Sequence, residues 1–236
     1  MKSSKHNQVG NFEKLVSFTN AQGAVYNPGK ASIKNAALQT LLTQAQGAIK
    51  AAHVSQSAFT HAINDRRRAL NSIPPMATRL IGYLKASGVS AETLESCRKI
   101  KRRLHNRGGD RVPLTSGETP ANDATRSTSQ ADFDSKVANF QELVTMATSD
   151  PLYKPNEADL QLKGLTAFIE QIRVANKAVA IARVALLEAK RKMRALVFGV
   201  NGIYGHGQAV KAYLKSVYGY SGSKYKEVAG IEFRKL

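Results

Sequence analysis

The chain has 236 residues, enough for one elongated domain or two small ones. Lys and Arg number 35 against 17 acids, a net +18, which favours a polyanionic partner over a small acidic substrate. Hydrophobic residues reach 42% with no Trp, so a core can form, but a narrow one of closely spaced helices, and a single cysteine, Cys97, excludes an internal disulfide.

The N-terminus, Met1 to Gln8, lacks the apolar run of a signal peptide. No stretch approaches the roughly 18 apolar residues of a membrane span. The expectation is a soluble cytoplasmic protein with no integral membrane association.

From residue 10 onward the chain repeats itself. Asn11-Phe12-Glu13-Lys14-Leu15-Val16-Ser17 returns as Asn139-Phe140-Gln141-Glu142-Leu143-Val144-Thr145. Tyr26-Asn27-Pro28 returns as Tyr153-Lys154-Pro155, and Ala31-Ser32-Ile33 as Ala158-Asp159-Leu160. Tyr83-Leu84-Lys85 returns as Tyr213-Leu214-Lys215, each followed by a Gly, Gly88 or Gly219. The collinear order argues for a duplicated helical unit. Three segments follow: a first helical repeat at 1–105, a flexible linker at 106–132 and a second helical repeat at 133–236. Their net charges are +12, −1 and +7.

Each repeat opens with a short amphipathic segment, about 10–20 or 133–148. A Tyr-x-Pro corner follows, and then a long helix, about 31–72 or 157–198. In the second copy Asn156 is placed to cap that helix, with Glu157 and Asp159 in its first turn. Leu165, Ile172, Val179, Leu186 and Met193 recur every seven residues, and Leu38, Ala45, Ala52 and Phe59 hold the matching seam. No Pro interrupts either run. The fold class is all-α, with two long antiparallel helices and shorter helices packed around them. Leu165, Ile172, Val179 and Leu186 are expected to face Leu38, Ala45, Ala52 and Phe59. The rival arrangement bends each long helix into a hairpin near Gln56 or Asn176.

Beyond the long helices the copies diverge. The first continues through Pro74-Pro75 into a short helix to Ala86, then a basic helix, Ala91 to Leu104, capped by Ser90. His105 to Asp132 is rich in Gly, Pro, Ser and Thr, with almost no large apolar residue, and is expected to be mobile and cleavable. The second copy has a Gly-rich turn, a helix over about 207–218 and a tail from Gly219.

That ending, Val210-Lys211-Ala212-Tyr213-Leu214-Lys215-Ser216-Val217-Tyr218-Gly219 with Tyr225-Lys226 and Ile231-Glu232-Phe233, resembles the ending of a group of uncharacterised bacterial helical proteins of Bacteroidetes type. The resemblance covers about the last 80 residues. It implies a helical ending and supplies no functional residues.

Three basic clusters lie in expected helices: Arg66, Arg67 and Arg68; Arg98 and Lys99 with Lys101, Arg102 and Arg103; and Lys190, Arg191 and Lys192 with Arg194. Consecutive helical residues point about 100° apart. Each cluster therefore forms a collar suited to phosphate contacts and not to base readout. Tyrosines crowd the C-terminal region, where they close a helical core more readily than they stack on bases. Gly199, Gly202, Gly205 and Gly207 follow a helix and not a strand, which fits a helix end and corner better than a dinucleotide fingerprint. His53 and His61 are too far apart on a helix to share a metal ion. Cys97 sits among basic residues, which would lower its pKa, but it has no His partner. No carboxylate pair suits acid–base work. No catalytic residue, cofactor or metal site is assigned. The expected function is non-catalytic, backbone-directed binding of nucleic acid, DNA or RNA. The alternative is a structural or adaptor protein whose long helices assemble with themselves or with a protein partner.

Overall fold

The computed structural model describes residues 5–105 and 128–235. Among them there are eight α-helices and no strand: α1 (Lys5–Ala21), α2 (Asn35–Asn71), α3 (Ile73–Ala86), α4 (Ala91–His105), α5 (Thr128–Thr148), α6 (Leu162–Phe198), α7 (Ile203–Tyr218) and α8 (Ser223–Ala229). Single 3₁₀ turns cover Gly23–Val25 and Ala31–Ile33. Over 106–127 the expected linker lies outside the described residues, and its last five residues, 128–132, are corrected to the first turns of α5. No helix among the described residues is long and apolar enough to cross a membrane.

The long helices α2 and α6 have 37 residues each, roughly 55 Å at 1.5 Å per residue. Both run unbroken through Gln56 and Asn176, so neither bends into a hairpin. Both also start later than the sequence pattern suggests, and a tyrosine explains why. Tyr26 donates its hydroxyl to the Ile33 carbonyl at 2.6 Å, and Tyr153 donates to the Leu160 carbonyl at 2.5 Å. Each bond closes a loop just before its helix. Asn156 is therefore not the cap of α6. Glu157 and Asp159 sit in the closed loop, six or fewer residues ahead of the helix. Ser90, in contrast, accepts the Thr93 N–H at 3.1 Å, as a cap of α4 should.

The starts and ends of the shorter helices follow local chemistry. Pro74 and Pro75 occupy the first turn of α3, where a missing N–H costs nothing. Glycines at positive φ, Gly88 at 75° and Gly219 at 73°, stand just past α3 and α7, where a residue with a Cβ would be strained. On the Gly-rich corner the expectation needs correcting. Only Gly199 and Gly202 make the turn, and Gly205 and Gly207 lie inside α7.

Two compact units emerge, and their bounds differ from those of the two repeats expected from the sequence. One comprises Met1–Thr60 with Ile181–Leu236, the other His61–Ala180. In the first, Phe12, Leu15, Leu38 and Ala45 of one repeat share a buried cluster with Val197, Ile203, Val210 and Leu214 of the other. In the second, Ile73, Leu80, Leu84 and Cys97 share a cluster with Phe140, Leu143, Leu165 and Ile172. Antiparallel pairing produces this exchange, because it sets the first part of one long helix beside the last part of the other. Lys190 donates to Gln56 at 2.9 Å in the first unit, and Arg66 to Asn176 at 3.4 Å in the second. The expected seam is thereby corrected. Leu165 and Ile172 do not face Leu38, Ala45 and Ala52; the residues buried with that trio from α6 are Met193 and Val197.

Matched tyrosines mark the same exchange. Tyr26 meets Tyr213 edge to face at 5.4 Å, and Tyr153 meets Tyr83 edge to face at 5.3 Å. Each pair takes one member from each repeat. In the first unit the chain's last segment lies against α1 and α7. Gln8 donates to the Arg234 carbonyl, Asn11 to that of Glu232, and the Lys211 ammonium to those of Ala229 and Ile231. Phe233 packs edge to face on Phe12 and touches Gly207, where a Cβ would stand 2.6 Å from the ring.

Candidate nucleic-acid interface

The three expected basic clusters divide between the two units. Arg66, Arg67, Arg68, Arg98, Lys99, Lys101, Arg102 and Arg103 belong to the His61–Ala180 unit; Lys190, Arg191, Lys192 and Arg194 belong to the other. Their electrostatic settings differ. Arg68 is ion-paired with Asp65, Arg102 with Glu95, and Arg103 with Glu142 at 2.8 Å; Arg98 lies 3.9 Å from Glu95. Arg66 is half-buried and tied to Asn176. Arg67 and Lys99 are exposed without an ion pair. Arg191, Lys192 and Arg194 are all exposed and in no ion pair, and Lys190 is held by the neutral Gln56 amide.

The contrast extends over the units as wholes. The His61–Ala180 unit has 18 basic and 13 acidic residues, a net +5. The other unit has 17 basic and 4 acidic residues, a net +13. Lys14, Lys30, Lys34, Lys50 and Arg183 there are exposed and unpaired as well. Counted by repeats, the excess is spread as +12 and +7. The fold's exchange of halves gathers more of it into one compact body, where few carboxylates screen it.

This unit also contains a recess that the sequence reading did not identify. Lys30, Ser32, Val200, Asn201, Gly205, His206 and Ala209 enclose about 330 Å³. The tyrosine-closed loop brings Lys30 and Ser32 to one wall, and its 3₁₀ turn packs on α7. The first turn of α7 supplies the other wall. His206 is fixed by a 2.9 Å contact between Nδ1 and the Gly202 carbonyl, which leaves Nε2 as the nitrogen available to a ligand. Gly205 is required here, because a Cβ would run into the Val200 carbonyl. The signal in the sequence lay in the matched segments: aligning Tyr26 with Tyr153 sets Lys30 and Ser32 against Glu157 and Asp159, a local reversal of charge.

The remaining candidates resolve as follows. Cys97 is fully buried, and burial pushes its thiol up and not down, with Asp150 adding to the effect; the basic neighbours on α4 point elsewhere. Tyr218 donates to the Gln22 side chain, and Lys224 and Lys215 lie over the Tyr218 and Tyr220 rings. Burial lowers the Lys211 pKa, opposed by Glu232. His6 and His53 have ring centroids 5.8 Å apart, but no group of three His, Cys, Asp or Glu among the described residues is placed to hold a metal ion. On α6, Ile181, Val184 and Leu187 are each more than half exposed, on the side away from Leu186, Met193 and Val197.

Compared with family models, with curated proteins and with solved structures, the chain matches none.

Proposed function

We propose that this protein is a non-catalytic nucleic-acid-binding protein that holds DNA or RNA through phosphate contacts, largely without regard to sequence. One observation carries the reading: the unit formed by Met1–Thr60 and Ile181–Leu236 concentrates a net +13, with its exposed cations almost free of ion pairs. Lysines and arginines left unpaired retain their full attraction for a polyanion, and release of its counterions drives binding. Arg191, Lys192 and Arg194 are then the leading contacts. Arg68, Arg98, Arg102 and Arg103 contribute less, because each must first give up a carboxylate.

The test is fluorescence anisotropy with a duplex of random sequence across a salt series. Reversing Lys190, Arg191, Lys192 and Arg194 to Glu is expected to flatten the salt dependence by about 0.9 per lost phosphate contact. Reversing Arg66, Arg67 and Arg68 is expected to matter less per charge. Wild-type protein that binds neither DNA nor RNA at physiological salt rejects the reading.

A second reading, assembly through the long helices, is favoured by exposed Ile181, Val184 and Leu187. It requires an oligomer that persists in high salt, which sedimentation measures directly.

A further inference from the structure

The two units are built from matched parts, so each serves as a reference for the other. The loop closed by Tyr26 matches the loop closed by Tyr153, and α7 matches α3, both beginning at an Ile that is at most 1% exposed, Ile203 and Ile73. At these matched positions the side chains differ in a consistent sense. Where the first unit has Lys30 and Ser32, the second has Glu157 and Asp159; where the first has Ala209, the second has Arg79. Arg79 and Asp159 are ion-paired, each about half exposed, and Arg79 holds the Asp159 carboxyl below its ordinary range. The second unit thus supplies its own anion and its own cation at this place. The first unit has neither member of that pair, and it has the recess of about 330 Å³ instead.

We infer that this recess is a phosphate site, taking one phosphate group where the other unit has the Asp159 carboxylate. Its lining carries a lysine and no carboxylate. Lys30 supplies the charge, and Ser32 and Asn201 supply neutral donors of the kind that bind phosphate oxygens. The opening admits a phosphate still attached to a chain, so free phosphate and a nucleic-acid backbone share the same chemistry there. As a feature of the interface, the inference rests on the nucleic-acid reading; as an anion site it does not.

The full-length protein tests it through a charge-neutral double variant, Ser32→Asp with Ala209→Arg. This carries the ion pair of the second unit into the first and leaves the net charge at +18. In the wild type, added inorganic phosphate is expected to shift the backbone amide resonances of Gly205 and His206, and chloride is not. The double variant should lose those shifts and bind duplex DNA about tenfold more weakly, the worth of one charge-assisted contact. Helix content and melting temperature check its fold. Should it not fold, Lys30→Gln, at an exposed position, takes its place. The site is overturned if phosphate moves neither Gly205 nor His206, or if the folded variant keeps the wild-type shifts; its part in the interface is overturned if DNA binds the wild type and the folded variant equally. Phosphate shifts in a protein that binds no nucleic acid uphold the site and reject the nucleic-acid reading.

Discussion

Tyr26 offers a test in which a substitution's effect is expected to disappear with pH. Its ring is buried, with the hydroxyl donated to the Ile33 carbonyl and the ring edge against Tyr213. Burial, with a smaller effect from Tyr213, pushes its pKa up to about 12 from an ordinary 10. The folded state therefore keeps a proton that the unfolded state releases. The resulting stabilisation is complete below about pH 10 and is lost as pH rises towards 12, at about 1.4 kcal/mol per pH unit. Tyr26→Phe removes the hydroxyl and leaves the Ile33 carbonyl without its donor, a cost of about 1.5 kcal/mol at pH 8. The variant has no proton to lose, so by pH 11.5 the wild type has given up about 1.9 kcal/mol that the variant has not. The penalty seen at pH 8 should be gone at pH 11.5. Urea unfolding of both proteins from pH 8 to 11.5 measures the difference, and lysine titration cancels because both carry the same lysines. Ultraviolet absorbance should show Tyr26 and Tyr153 ionising well above the ordinary tyrosine value of about 10. A penalty that stays constant over this range, or eight tyrosines titrating together near pH 10, refutes the reasoning.

Three further outcomes are expected. Gly207→Ala forces a methyl group against Phe233 and should cost about 1–3 kcal/mol while making the chain's last segment more sensitive to carboxypeptidase. Cys97, buried with its thiol pKa raised, should react with a disulfide reagent only as fast as the protein unfolds, so brisk labelling of the native state would contradict its placement. Glu95→Gln releases Arg102 and Arg98 from their carboxylate, so affinity for duplex DNA should rise about two- to fivefold, and an unchanged affinity would show that α4 takes no part.

Much of the fold was legible because it follows from periodicity. The seven-residue spacing from Leu165 to Met193 marks an unbroken helix, and the helix is there. What periodicity cannot give is which part of a long helix packs with which neighbour. Leu38 and Leu165 occupy equivalent positions and both are fully buried, yet they lie in different cores. Helix starts were misplaced by four or five residues because a tyrosine's bond to a carbonyl seven residues on competes with helix formation. For the candidate interface, the Lys190–Arg194 group could be seen in the sequence. The ion pairs that quiet Arg68, Arg102 and Arg103 could not, since Glu142 reaches Arg103 only across two packed helices. The recess was hidden for the same reason: Lys30 and His206 are remote in sequence and meet through the docking of a loop on α7.

The exchange of halves has a consequence for synthesis. The unit His61–Ala180 is one uninterrupted stretch and can complete itself as soon as its own last residue is free of the ribosome. The other unit cannot. Phe12, Leu15, Leu38 and Ala45 emerge within the first 60 residues, but the residues that bury them begin only after Ala180. At about 5–20 residues per second, the intervening 120 residues take roughly 6–24 s. For that interval the nascent chain carries an open apolar face. On one messenger, a chain that has just completed Ile181–Leu236 can offer that half to a neighbour still waiting for its own, so crowded translation is the condition under which partnership between molecules competes with closure within one.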